Sequence, residues 1–464
     1  MRRRIRGVDD IDEDKKIAEN RMGVQPVGRL LASMSLPAMA SMLIQALYNI
    51  VDSVFVSRLS ESALTAVTLV FPVQMLMVSV AVGGGVGISS LIARRLGQKR
   101  FDEANDAAVH GYFLGVISWL VFAAFGIFGT EPFIRLFTSD EELISLAVVF
   151  CRLITVGSVF VFIGVNTEKV LQATGNTLFP MIFNIAGAFL NIALNPILIF
   201  GLFGAPRLGI AGSATATLIA QFTAMSIGLF MMLRFKHPVK IKLKGFRVKA
   251  RTVADIYSVG LPSIIMQAIM SVVILGLNAI LIGFSSTAVA VLGLYFRVQS
   301  LIFMPVFGLN QGALPIMGYN FGARKKKRLL DCYLKASVTA VVIMAVGMAA
   351  FQVFSEDILR IYDASPAMMH IGVRALRIIS LCFVPAGFSI VSVTLFQALG
   401  HGFLSMVISI VRQLALILPF AWLLARFFGV DYVWFAYPLA EAVGLCVMIS
   451  FVRWVFVKDI RDLG

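Results

Sequence analysis

The chain has 464 residues, of which 59% are hydrophobic and only 14% are charged. This composition excludes an ordinary soluble globular protein and indicates a protein with several membrane-spanning segments. The formal net charge of +15 falls in a few short segments between apolar runs, which argues against a nucleic-acid partner. We therefore expect the lipid bilayer to surround most of the chain.

Twelve apolar runs are long enough to cross a bilayer, which takes roughly 20 helical residues. Their approximate limits are 35–57, 64–92, 107–128, 143–165, 178–201, 209–233, 256–283, 288–317, 331–354, 369–391, 403–426 and 432–457. The sequence therefore predicts an all-α polytopic membrane protein with twelve transmembrane helices.

Basic residues mark one side of the membrane. They cluster after the second, sixth and eighth runs, at 94–100, 234–251 and 324–328, whereas the alternate connections hold few. Connections rich in Lys and Arg stay in the cytoplasm. The charged segment 1–28 has no early apolar core, so we expect a cytoplasmic tail and not a cleaved signal peptide. This pattern predicts a membrane protein with both termini in the cytoplasm.

Short motifs recur at a constant offset. Ser35-Leu36-Pro37 matches Gly260-Leu261-Pro262, and Gln172-Ala173-Thr174-Gly175 matches Gln397-Ala398-Leu399-Gly400, with numbers that differ by 225 in both cases. A constant offset indicates an internal duplication. Each repeat holds an even number of runs, so both enter from the same side and their pseudo-twofold axis lies along the membrane normal. The predicted division is a tail 1–28, a six-helix lobe 29–233, a basic linker 234–254, a six-helix lobe 255–457 and a tail 458–464.

The first run carries a polar stripe. Ser41, Gln45, Asn49 and Asp52 follow at spacings of four, four and three, so they share one helix face. An acid within the membrane costs about 2.5–3.5 kcal/mol even on the lenient scale. Such a stripe must face protein or a water-filled cavity. We interpret Asp52 as an ion-coupling group, the only acid deep in the spans of the first lobe; the alternative is a polar seam between helices.

Pro37 lies near the start of the same run, where a proline removes one backbone hydrogen bond and bends a helix. We expect a hinge there that swings the Asp52 end. In the second repeat the position equivalent to Asp52 holds Leu277, so the ionisable site belongs to the first lobe. In the second lobe, Gln267 and Asn278 are the polar candidates on the corresponding helix.

The fifth run places three amides on one face, because Asn184, Asn191 and Asn195 are spaced by seven and four residues. Amide oxygens suit a hard cation, although hydrogen bonding between helices is the alternative. A lone buried aspartate suits a proton better, because burial favours its neutral form. We therefore expect H⁺ coupling in preference to Na⁺. The candidates for lining a substrate cleft are Gln45, Asn49, Asn184, Gln267 and Asn278.

Three further charges lie within apolar runs of the second lobe: Arg297, Arg412 and Glu441. Charges in membranes usually pair or reach a cavity. We expect an ion-pair network that links Glu441 to one of the arginines. Its alternative role is only to position helices.

Several motifs together resemble one family. They are Leu47–Asp52, Leu96–Gln98, Gln172–Asn176, Leu190–Pro196, Gly212–Thr217 and Phe303–Gly312. With their order and the duplication, the chain resembles the multidrug and toxic compound extrusion (MATE) transporters over almost its whole length. The closest similarity is to the bacterial DinF-like and MepA-like branch.

The resemblance implies two six-helix lobes around a central cleft and export of organic cations in exchange for inward H⁺ or Na⁺ by alternating access. It implies that Asp52 is the family's first-helix acid, Asn191 and Asn195 its fifth-helix pair, and Thr217 its sixth-helix hydroxyl. A Na⁺ ion would lie at Asp52, Asn191 and Thr217. The family often has an acid where this chain has Asn195, which again favours H⁺.

Other functions find little support. The chain contains no Walker A sequence and no cluster of catalytic side chains, so we expect neither ATP hydrolysis, nor an enzyme, nor a cofactor. We expect a monomer. The alternative is a lipid-linked oligosaccharide flippase of the same superfamily, which a cleft lined by many arginines would favour.

Overall fold

The computed structural model describes residues 20–241 and 245–463, without the side chains at 49, 50, 52–54, 56, 57 and 61. This part of the chain is almost entirely helical. Ten of its helices are long and apolar enough to cross a membrane, and two bent helix pairs pass the same test together. These twelve elements confirm the predicted all-α fold with twelve transmembrane helices.

A short helix α1 precedes the helices of the first half. The bounds are α1 Arg21–Val24, α2 Val27–Ser57, α3 Glu61–Gly97, α4 Phe101–Ala124, α5 Thr130–Arg135, α6 Glu141–Val156, α7 Val159–Ala173, α8 Leu178–Phe200 and α9 Ile210–Arg234. A π-helical turn, Phe125–Gly129, joins α4 to α5, and a 3₁₀ turn, Leu202–Gly204, follows α8.

The second half repeats this order. Its bounds are α10 Ala250–Ile282, α11 Ser286–Gly322, α12 Lys326–Val353, α13 Ser355–Ile361, α14 Pro366–Ser380, α15 Phe383–Leu399, α16 Gly402–Ile410, α17 Leu418–Phe428 and α18 Ala436–Val455. Between them lie the π-helical Val411–Ile417 and the 3₁₀ turn Val430–Phe435, and the π-helical Phe456–Ile460 comes last.

The fourth and tenth spans are each broken. The axes of α6 and α7 differ by 41°, and those of α14 and α15 by 48°. The break after Val156 and the break after Ser380 occur at matching places in the two repeats. The fourth run does not end at 165, as the sequence predicted, because α7 continues to Ala173.

The two halves meet closely where α3 and α11 end. A Cβ atom on Gly97 would collide with the carbonyl oxygen of Tyr319, and one on Gly322 would collide with that of Arg94. Gly97 and Gly322 occupy equivalent positions in the two repeats, and so do Arg94 and Tyr319. The two contacts are therefore related by the pseudo-twofold axis, and only glycine allows the backbones to approach this closely.

Further contacts join the halves at the same end. The Arg95 guanidinium contacts Asp255 at 3.1 Å, and the Ser90 hydroxyl donates to the Gln397 carbonyl at 2.5 Å. Arg94, Arg95 and Arg328 all belong to the basic segments, so the molecule is closed at the end that carries them. Helix α1 lies over this junction with Met22 fully buried, and the Met22 carbonyl accepts from Arg328 at 3.1 Å.

Candidate functional site

The first half contains a cavity of about 190 Å³ between α2, α7, α8 and α9. We call it the first-half cavity. Its apolar wall includes Phe160, Phe183 and Met225, and all four helices contribute polar side chains. The polar lining residues are Ser41, Gln45, Tyr48, Glu168, Asn184, Asn191, Thr217 and Gln221. A small apolar site with a few convergent polar groups is the usual form of a ligand pocket.

Glu168 is the one charged side chain among the described residues that line this cavity. Its two oxygens accept from the amides of Gln172 at 2.8 Å and Asn184 at 3.0 Å. The Lys169 ammonium lies 3.4 Å from the same carboxylate, and the Lys169 and Glu168 side chains are 5% and 15% exposed. Charge and hydrogen bonds thus hold a carboxylate at the cavity wall, which is the arrangement that a buried acid requires.

Lys169 and Gln172 also reach the second half. The Lys169 ammonium donates to Gln311 at 3.1 Å, and the Gln172 amide donates to the same Gln311 oxygen at 2.7 Å. Gln311 belongs to α11 and, with Gln172, lines a smaller pocket that shares Ser41, Gln45, Glu168 and Asn184 with the first-half cavity. The polar network therefore connects the cavity to the contact between the halves.

This network corrects the sequence analysis. Asp52 is not the only acid within the spans of the first half, because α7 carries Glu168 inside the bent fourth span. The Glu168-Lys169 dipeptide lowers local hydropathy, so the apolar run ended before it. The signal that could have indicated a continuing helix with one polar face is the four-residue spacing of Glu168 and Gln172.

Four of the predicted residues line the first-half cavity: Gln45, Asn184, Asn191 and Thr217. The Asn191 amide donates to the Thr217 hydroxyl at 3.1 Å, and the fully buried Asn195 donates to the Asn191 oxygen at 3.0 Å. The structure thus brings the fifth-helix pair and the sixth-helix hydroxyl together. Their roles stay predictions.

The side chains of Asp52 and Asn49 lie outside the described residues. Pro37 is inside α2, which is one continuous helix in this structure, so the hinge stays a prediction. Gln267 and Asn278 are half-buried on α10 and do not line the first-half cavity. Among the described residues, no group of three or more His, Cys, Asp or Glu side chains suits a metal ion.

A second buried ion pair lies in the other half. The Arg412 guanidinium contacts Glu441 at 3.2 Å, and the Ser389 hydroxyl donates to the same Glu441 oxygen at 2.9 Å. The pair ties α15, the π-helical Val411–Ile417 and α18 together. Arg297 is exposed on α11 and stands apart from this pair.

The family model for MatE matches residues 37–197 and 262–423. The chain belongs to the MatE family. The two matches begin at Pro37 and Pro262, which are the paired prolines of the repeated motifs. The resemblance to MATE transporters is therefore confirmed, and the protein is a membrane transporter.

Two relatives of known name align over almost the whole chain. A FAD transporter of Shewanella oneidensis is 25% identical over 417 residues, covering 90% of this chain and 92% of its own length. The multidrug export protein MepA of Staphylococcus aureus is 24% identical over 435 residues, covering 94% and 95% respectively.

Solved structures show the same fold. An outward-facing multidrug resistance MATE transporter of the MOP superfamily has a TM-score of 0.88 and 28% identity, with 94% of this chain and 97% of that chain covered. A MOP superfamily transporter from Pyrococcus furiosus, described as having a binding pocket of reverse polarity, has a TM-score of 0.87, 27% identity and the same coverage, 94% and 97%. A further MATE structure, described as a bent conformation, has a TM-score of 0.86 and 27% identity and covers 94% and 96% respectively.

Proposed function

We propose that this MatE transporter is a secondary antiporter that exports organic cations and other amphipathic compounds in exchange for inward H⁺ by alternating access. The observation that carries the proposal is Glu168, an acid held at the wall of a cavity with aromatic and amide lining. An aromatic wall and one carboxylate suit a flat, singly charged organic cation. The MepA relative, a multidrug export protein, supports export of drug-like compounds.

The predicted orientation of the chain in the membrane supports an outward-facing state of the transporter. Basic connections remain in the cytoplasm, so the closed junction at Gly97 and Gly322 is the cytoplasmic end. The first-half cavity then opens toward the outside of a bacterial plasma membrane. The similarity to a transporter solved in an outward-facing conformation agrees with this orientation.

Protons can drive the exchange because a proton and a cationic cargo compete for the same carboxylates. Asp52 remains the predicted coupling group of α2, and Glu168 is the second acid that we assign to coupling. Na⁺ is the less suitable ion, because the Asn191 oxygen already accepts from Asn195 and the Thr217 hydroxyl already accepts from Asn191. A Na⁺ ion at these oxygens would have to share each of them with a hydrogen-bond donor, which weakens its coordination.

Transport of ethidium in proteoliposomes tests the proposal. A pH gradient alone should drive ethidium movement, and Asp52→Asn and Glu168→Gln should each abolish it. Glu141→Gln, at an exposed helix start, is the control and should transport normally. Movement driven by a Na⁺ gradient alone, or full transport by both variants, would refute the proposed coupling.

The FAD transporter relative favours a second candidate, export of a flavin dinucleotide. A dinucleotide carries negative phosphates, and the described lining of the first-half cavity offers them one carboxylate and no cation. The same lining counts against a lipid-linked oligosaccharide flippase, whose cargo also carries phosphate. Movement of FAD, and not of ethidium, in the same proteoliposomes would make this second candidate the better one.

A further inference from the structure

Lys169 is a buried base beside the first-half cavity. Its side chain is 5% exposed, and its ammonium contacts the oxygens of Glu168, Gln172 and Gln311 at 3.4, 3.0 and 3.1 Å. Two of these partners belong to the first half and one to the second. A buried ammonium of this kind is stable only while its charge and its donors are satisfied.

We propose that Lys169 is an internal cation that competes with the transported cation for Glu168. Its hydrogen bond to Gln311 couples this competition to the junction between the halves. The inference rests on the proposed function, because it presumes that a cation binds at Glu168. It assigns Lys169 as a specificity-determining residue and Gln311 as a positioning residue.

The competition follows from charge. While the cavity is empty, Glu168 and Lys169 neutralise each other. When a proton or an organic cation neutralises Glu168, the buried ammonium loses its counter-charge, and such a loss is strongly unfavourable in a low-dielectric region. The ammonium must then depend on the remaining oxygens, those of Gln172 and Gln311.

The surrounding packing limits how Lys169 can respond. A Cβ atom on Gly85 would lie 2.7 Å from the Lys169 Cγ atom, so the stem of the lysine is tightly packed against α3. The ammonium end is therefore the part that can shift. Its movement toward or away from Gln311 changes a contact between the halves and leaves the position of α7 on α3 unchanged.

Gln311 lies where such a change affects the junction. The next residue, Gly312, packs against α2 so closely that a Cβ atom there would lie 2.5 Å from the Ser35 hydroxyl oxygen. Ser35 in turn donates to the Leu309 carbonyl at 3.2 Å. The segment 309–312 of α11 thus connects the polar network to α2, two residues before Pro37.

Comparison of the two repeats indicates that the fold forms without the Glu168–Lys169 pair. In the second repeat, the positions equivalent to Glu168 and Lys169 hold Val393 and Thr394, whereas Gln172 keeps a glutamine counterpart at Gln397. The second half forms the same pair of bent helices without the two charges. Glu168 and Lys169 therefore serve a purpose that is specific to the first half.

Ethidium binding to the purified full-length protein in detergent tests the proposal. Lys169→Met removes the charge and keeps the length, and should tighten ethidium binding at least about tenfold at pH 8, because one repulsive charge is lost. The gain should shrink as the pH falls, because more protons then compete with ethidium for the carboxylate. Lys169→Arg keeps the charge and should therefore not tighten ethidium binding.

Gln311→Leu tests the link between binding and the junction. It leaves Lys169 beside Glu168 in the empty protein but removes one of the two oxygens on which the ammonium depends when ethidium occupies Glu168, so ethidium affinity should fall by about threefold or more. In hydrogen–deuterium exchange, ethidium should change the protection of peptides covering 88–97 and 309–322 in the unmodified protein, and this change should be lost in Gln311→Leu. Lys335→Met, which breaks an exposed pair with Asp331, is the matched control and should alter neither measurement.

The outcomes distinguish the two proposals. If Glu168→Gln weakens ethidium binding but Lys169→Met does not tighten it, the internal-cation inference is wrong and the proposed function stands. If Lys169→Met and Gln311→Leu lower only thermal stability, with unchanged affinity, pH profile and exchange response, both residues are merely structural. If the unmodified protein binds no ethidium, the proposed function and the inference fall together.

Discussion

The Arg412–Glu441 pair of the second half stands where the first half has its cavity. At the offset of 225 residues that relates the repeated motifs, Arg412 corresponds to Gly187 and Glu441 to Ala216. Gly187 lines the first-half cavity, and Ala216 directly precedes its lining residue Thr217. The salt bridge therefore joins α15, the π-helical segment and α18, which are the counterparts of the three helices, α7, α8 and α9, that line the first-half cavity.

The comparison shows how the two halves of a duplicated scaffold differ in packing. In the second half, the Arg412 stem packs against Gly444, where a Cβ atom would lie 3.1 Å from the Arg412 Cγ atom. Arg412 belongs to the π-helical segment Val411–Ile417. A π-helix holds about one more residue per turn than an α-helix, which changes the direction of the side chain. In the first half, α8 continues as a regular helix and Gly187 contributes no side chain.

The first prediction tests this comparison and has the largest expected effect. Glu441→Ala leaves the Arg412 charge buried without its partner and should lower the free energy of unfolding by about 3–5 kcal/mol. The double variant Arg412→Gly with Glu441→Ala copies the residues of the first half and removes the uncompensated charge. Its thermal midpoint in detergent should therefore lie between those of the single variant and the unmodified protein.

A double variant no more stable than Glu441→Ala would show that the pair does more than fill space. The double variant should also gain a cavity in the second half, which a crystal or cryo-EM structure can reveal directly. Ser450→Ala is a suitable control, because Ser450 is exposed on α18 and its hydroxyl donates to the Cys446 carbonyl of its own helix.

Much of this arrangement could be predicted from the sequence, because it depends on local patterns. The apolar runs and the constant offset predicted the fold, and the helical spacing of Asn184, Asn191 and Asn195 placed their side chains on one face. The pairing of Glu441 with an arginine followed from the cost of an unpaired charge in a membrane. Which arginine it pairs with depends on packing, and Arg297 remains exposed.

The rest depends on contacts between distant segments. No proline lies near the helix break at 157–158, but the Gly157-Ser158 pair there is a local signal that could have indicated the bend of the fourth span. Gln311 reaches Lys169 from a helix 142 residues away in the chain. Hydropathy also misplaced the end of the fourth span, because a satisfied ion pair allows charged residues to stay inside a helix that hydropathy alone would end.

The second prediction compares one hydrogen bond in each half. Ser389→Ala removes a donor from the fully packed Glu441 carboxylate. It should lower the free energy of unfolding by about 2 kcal/mol, as expected for a hydrogen bond to a charged group. Asn184→Ala removes a donor from Glu168, but that carboxylate borders a cavity that water can enter. Asn184→Ala should therefore lower the free energy of unfolding by about 1 kcal/mol or less. Denaturant unfolding in detergent measures both, and equal costs would contradict the distinction between a filled and an open half.

The third prediction concerns an exposed ion pair and should have the smallest effect. Arg135 contacts Glu141 at 2.7 Å, closer than Arg412 approaches Glu441 at 3.2 Å, yet its two side chains are 45% and 73% exposed. If distance decided the contribution, Arg135→Ala would be more damaging than Arg412→Ala. Water and salt screen an exposed pair, and two long side chains lose freedom when they are held together. We therefore expect Arg135→Ala to leave the unfolding midpoint unchanged at physiological salt, while Arg412→Ala lowers it clearly because Glu441 is left buried without its partner. A reversed order would mean that contact distance, and not burial, determines what each ion pair contributes.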